Sequence, residues 1–247
     1  LDQLLATLFI KLWLKHTPDF STLFLNGGAH LQHHYMFNSA AYKGANANPN
    51  WYVSAEIDPL FDMLNLYDQV LENILKLDVR VMICTGLRQV PFEKPIYYWR
   101  LREHDEFLKR LNINFKRVLP RMSRDFLIEF DSDKDVKYAI SRLSSIKDNK
   151  GLQIFGELEQ RNKSVFVVLT YPDKVDKNME FEADGVCIFD FHKVVEFVAI
   201  KNAHHDSLGY FIDTETKKQE KVSIPLVNIS DKILENFSIS NTRSNDI

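Results

Sequence analysis

Three histidines, His30, His33 and His34, fall within five positions of the stretch FLNGGAHLQHHYMFN, directly behind Gly27 and Gly28. Imidazole is the commonest protein ligand for transition metals, and its charge changes close to neutral pH. His30 and His34 are spaced i, i+4, which on a helix brings two imidazoles to one face, as in zinc-binding helices. That reading requires the segment after Gly28 to be helical, and AHLQHHYMF permits it. Asn26 is either the cap of such a helix or a neutral oxygen ligand. Gly27 and Gly28 favour close backbone approach, so their N–H groups could hold an anion without a metal. Metal site, anion loop and hydrogen-bonded histidine turn all stay open at this point.

A second group follows the apolar run VRVMIC. In TGLRQVPFEKP, Thr85 and Arg88 stand just past a predicted strand. A guanidinium there can grip phosphate or sulfate in a two-pronged contact; the plain alternative is a surface turn with a solvated arginine. KPIYYWRLREHDEF mixes Tyr97, Tyr98 and Trp99 with Arg100 and Arg102, and RMSRDF adds Arg121 and Arg124. Such a mixture either stacks on a base or sugar ring or packs as an amphipathic segment on a sheet. His204, beside His205, reads as a solvated neighbour. The sequence holds no Ser-His-Asp grouping, P-loop or cysteine-rich zinc signature.

The elements that must position these groups are legible from periodicity. Residues 2–15 repeat apolar positions at helical spacing, with Pro18 after the end. FSTLFLN reads as a short buried strand, 59–77 as a second helix and Val79–Cys84 as a second strand. Alternating helix and strand is the pattern of a parallel sheet covered by helices. The middle reads strand (RDFLIEF), helix capped by Asp131 or Ser132, then two strands (GLQIFGEL, KSVFVVLTYP) with a hairpin at EQRNK. GVCIFDF, VVEFVAI and GYFIDTE give later strands. The expected fold is therefore α/β, a mainly parallel sheet flanked by helices, with a small β-α-β-β insertion. Residues 1–120 and 173–237 would form the core, 121–172 an inserted cap and 238–247 a mobile tail.

At 247 residues the chain can bury a full core. Its net charge of −3 shows no global attraction to nucleic acid, so no nucleic-acid partner is expected. Cys84 and Cys187 both lie in apolar runs and read as buried, reduced thiols, which leans towards the cytoplasm. The opening LDQLLATLFIKLWLK is too short and too interrupted by charge to span a membrane, and it lacks the features of a signal peptide. A first residue of Leu suggests a native start further upstream; a signal lying there would instead allow a periplasmic location.

The order of the pieces resembles the later part of alkaline-phosphatase-like enzymes, in particular the type I phosphodiesterase and nucleotide pyrophosphatase branch. There a strand ends in Asp-x-x-x-His, and both side chains bind a metal. Here the same spacing reads Asn26-Gly27-Gly28-Ala29-His30. LYDQVLENILKL is similar to the helix that follows in that family. Where the family places Ser-Asp-His-Gly, this chain has Cys84-Thr85-Gly86-Leu87, and a late His four residues before a Gly is matched by His205 and Gly209. The resemblance implies an alkaline-phosphatase-like fold over about residues 1–120 and 185–215. It also implies a divalent metal, zinc among the candidates, held by Asn26, His30 and His205, with His33 or His34 as substitutes. Gly27, Gly28, Thr85 and Arg88 would contact a small-molecule phosphate or sulfate ester. The family's nucleophilic Ser or Thr has no counterpart in the sequence. The expectation is an incomplete or diverged ester hydrolase; the alternative is a non-catalytic binding protein on the same fold. Missing strands would leave a sheet edge open to a second copy of the chain.

Overall fold

The computed structural model describes residues 1–184, 186–188, 190–216 and 223–237. Helix α1 (Asp2–His16) and helix α2 (Gly27–Tyr35, followed by a 3-10 turn) precede α3 (Pro59–Leu75). Strands β1 (Met82–Cys84) and β2 (Arg88–Leu101) lead to α4 (His104–Arg110), β3 (Arg117–Pro120), β4 (Asp125–Glu129) and α5 (Asp133–Ser144). Then come β5 (Lys147–Asp148), β6 (Glu157–Arg161), β7 (Ser164–Val168), β8 (Phe181–Ala183) and β9 (Val186–Ile188). The chain continues through α6 (Phe191–Val194), β10 (Val195–Asp206), β11 (Phe211–Asp213) and α7 (Ile229–Glu235). It divides into two compact units, residues 1–23, 66–90 and 205–247, and residues 24–65 and 91–204.

The second unit holds the main hydrophobic core. Its sheet runs β3-β4-β7-β6. Residues on β4 alternate, turning Phe126 and Ile128 inward, where they stand opposite Val167 and Val165 of β7. Such cross-strand apolar pairs are the unit of sheet stabilisation. Helix α5 closes this face with Val136, Ala139 and Leu143, all fully buried at i, i+3, i+7 spacing. Ser132 caps it, its Oγ accepting the Asp135 amide at 3.2 Å. Asp58, just before Pro59, accepts the amides of Ala40 and Phe61 at 2.7 and 2.9 Å and so ties a loop to the start of α3. The first unit is thinner: β1 pairs with β11, and Tyr67 on α3 donates to Asp2 on α1 at 2.6 Å.

The expected mainly parallel sheet is not what forms. The protein is mixed α/β with antiparallel sheets of two to four strands. Two physical reasons stand out. A parallel pair needs a long crossover, whereas β3–β4, β6–β7 and β8–β9 are joined by short turns. The run FSTLFLN, expected as a short buried strand, has no regular structure, and Phe24 within it is 80% exposed. The strand expected at Val79–Cys84 is confined to its last three residues, and its partner β11 comes from much later in the chain. The basic, aromatic segment is itself a 14-residue strand, β2. Cys84 is a free thiol but exposed, not buried. The Cys187 side chain and the tail 238–247 lie outside what is described.

Replacing Leu143 by Ala removes a fully buried side chain and is expected to cost about 2–5 kcal/mol. Ser132→Ala removes only a cap and should cost about 1 kcal/mol. Urea unfolding followed by circular dichroism would rank the two, and a reversed order would contradict this account of α5.

Candidate functional site

The histidine cluster is helical: α2 begins at Gly27, with Asn26 in the N-cap position. The Asn26 carbonyl accepts the His30 amide at 3.1 Å, while its side chain makes no capping bond. Asn26, His30 and His34 thus recur every four residues and share one helical face. The His30 and His34 rings stand 5.0 Å apart between centroids.

What fixes α2 is the stretch Ile200–Ala203 of β10. His33 Nδ1 donates to the Ala203 carbonyl at 2.7 Å, and His34 Nδ1 to the Ile200 carbonyl at 2.9 Å. Each acceptor is a carbonyl, so each Nδ1 must carry the proton, and Nε2 of His34 is then the lone-pair nitrogen. Between these bonds, the Phe37 amide donates to Asn202 Oδ1 at 3.0 Å. Asn202 is fully buried and exchanges a reciprocal pair of amide bonds with Asn48, at 2.7 and 2.8 Å. Tyr52 closes the group, its hydroxyl accepting the Ile200 amide at 3.2 Å. Burial holds the His34 imidazolium form below its ordinary range, against the raising effect of the Ile200 bond and with help from the nearby charges of Lys201 and His30.

The expected residues are not all in one unit. Asn26, Gly27, Gly28, His30, His33 and His34 belong to the unit of residues 24–65 and 91–204, whereas Thr85, Arg88 and His205 belong to the other, so the expected ligands Asn26, His30 and His205 are divided between the units. Thr85 Oγ1 accepts the Tyr210 amide at 2.8 Å, and the Thr85 amide donates to the Tyr210 carbonyl at 3.0 Å. Arg88 pairs with Asp206 at 2.7 Å through both Nε and Nη2. Gly209 lies where a Cβ would come within 2.5 Å of the Gly86 carbonyl oxygen, so this turn closes only with glycine there. His205 is exposed, and the His204 ring rests 4.9 Å from that of Phe92. Among the described residues, no group of three or more His, Cys, Asp or Glu side chains is placed to hold a metal ion.

The aromatic residues of β2 divide by face. Tyr97 and Trp99 stack at 6.2 Å and meet Phe197, and Trp99 Nε1 donates to the Asp173 carbonyl at 2.9 Å. Their rings serve packing. Arg100 and Arg102 share Glu196, although the 3.2 Å approach of Arg100 Nε lacks hydrogen-bond alignment. A nearby cleft of ≈ 340 Å³ mixes Arg102, Arg110 and Lys193 with Glu103, Glu106 and Glu196, so it presents no dominant charge.

No family model, no curated protein and no solved structure matches the chain. No helix among the described residues is long and apolar enough to cross a membrane. The residues that do most to position α2, Asn48, Tyr52 and Asn202, are not legible in the sequence, because a lone Asn or Tyr carries no spacing signal.

Because the folded state favours neutral His34, the unfolded chain binds more protons on acidification. The His34 contribution should be fully present above the ordinary imidazole pKa of about 6.5 and decline as the pH falls below it. Urea midpoints at successive pH values should fall more steeply below that point for the wild type than for His34→Gln. Parallel profiles would contradict the assignment.

Proposed function

We propose that the chain binds a divalent metal ion, zinc in the first instance, on the His30–His34 face of α2. We propose further that it is a relative of metal-dependent hydrolases of phosphate or sulfate esters. The observation that carries the reading is the His34 ring. Its Nδ1 is committed to the Ile200 carbonyl, its neutral form is favoured, and a second imidazole lies one turn away. A metal-ligating histidine needs this arrangement: a backbone carbonyl fixes the tautomer and aims the other nitrogen. Asn26 extends the same face and supplies an oxygen donor. Two imidazoles and one oxygen leave room for water, as in open zinc sites. The motif order Asn26-x-x-x-His30 and His205-x-x-x-Gly209 supports the hydrolase kinship.

A second reading, a non-catalytic ligand- or partner-binding protein, is favoured by Thr85 and Arg88. These two side chains expected to meet a substrate are engaged within their own unit, by Tyr210 and Asp206. A metal bound on α2 would then stabilise or recruit rather than catalyse. Elemental mass spectrometry after zinc loading and desalting separates these readings. About one zinc per chain is expected, lost in His30→Ala and in His34→Ala, as a two-histidine site requires. Zinc retained in both variants, or absent from the wild type, would overturn the metal site. Stoichiometric zinc with no hydrolysis of aryl phosphates or sulfates would favour the second reading.

A further inference from the structure

Tyr98 points away from the Tyr97–Trp99–Phe197 cluster, as alternation along β2 requires. The Arg124 guanidinium lies over its ring, 3.9 Å from the centroid, and Lys201 Nζ lies 6.0 Å from the same centroid. All three residues are half-buried. Other arginines among the described residues have a carboxylate beside them. Arg161, over the Phe166 ring, pairs with Glu159 at 2.6 Å, and Arg117 pairs with Glu129 at 2.7 Å. Among the described residues, neither Arg124 nor Lys201 makes an ion pair. Asp125, the carboxylate next in sequence, accepts instead from Ser123 at 3.2 Å.

Two like charges held together, partly withdrawn from water and without a counter-charge, repel each other. The pair is stabilised by whatever anion enters between or beside them. Burial, and to a lesser degree the Arg124 charge, push the Lys201 ammonium below its ordinary range; only the second of these causes is that repulsion. We propose that Arg124 and Lys201, set against the ring of Tyr98, form a binding site for a phosphate or sulfate group. The guanidinium fork suits two oxygens of a tetrahedral anion, and the ammonium suits a third. The ring fixes Arg124 from its other side by a cation–π contact. The site needs no metal and so stands apart from the His30–His34 reading.

Calorimetric titration with inorganic phosphate, inorganic sulfate and phenyl phosphate, all in chelator, tests the proposal. The chelator prevents a bound metal from carrying the anion. Saturable binding of at least one inorganic anion is expected, weakened about tenfold or more in Arg124→Gln and in Lys201→Gln, each removing one charge-assisted contact. Arg121→Gln, which removes an exposed neighbouring charge, should leave affinity unchanged. Tighter binding of phenyl phosphate would assign the group to a larger organic ligand, and equal affinity to the free anion. Circular dichroism on each variant confirms the fold. No binding by the wild type, or equal loss in all three variants, would overturn the site.

Discussion

The reciprocal amide pair between Asn48 and Asn202 is the contact on which the arrangement of α2 depends. Both side chains are buried, and together they satisfy each other and the Phe37 amide. Buried polar groups are stabilising only when paired, and an orphaned one costs about 1–3 kcal/mol. Removing Asn202 would strand two partners at once. The pair therefore selects one position for the loop around Asn48 and for the end of α2, and it does so beside the carbonyls of Ile200 and Ala203. The histidine bonds to those carbonyls are a consequence: β10 presents them to α2 only where the asparagines hold the helix against it.

This constraint gives three neighbouring histidines different characters. His33 and His34 are tied through Nδ1, while His30, one turn earlier, is exposed beside His34. Nearby, Lys201 is close enough to disfavour charge on His34, and it shares the Tyr98 ring with Arg124. Short stretches of β2 and β10 thus set the environment of both candidate sites, a lone-pair nitrogen on one and unpaired cations on the other.

Much of the local structure was legible. Helical spacing placed α1, α3 and α5, Ser132 was readable as a cap, and the hairpin at EQRNK forms between β6 and β7. Helix α2 was readable only as a condition for bringing His30 and His34 together. Strand direction was not legible, because an apolar run has the same composition in a parallel or antiparallel sheet, and helix–strand alternation favoured the wrong choice. FSTLFLN misled for a related reason: hydrophobicity marks a segment suited to burial but does not supply the neighbour that buries it. In the site, histidine spacing found the helix face. It could not find Asn48 and Asn202, which meet across 154 positions, nor the Arg124–Tyr98–Lys201 group, which joins three separate strands or strand edges.

The most direct test of the central claim, that β10 fixes the α2 histidines through its carbonyls, is the tautomer of His34 and His33. It can be read from imidazole nitrogen chemical shifts in labelled protein above neutral pH. The account predicts the Nδ1–H form for both, the less common tautomer of free imidazole side chains, with the Nε2 of His34 carrying the lone pair. Finding Nε2–H at His34 would mean that the Ile200 bond does not exist, and the basis for a metal site on that face would go with it.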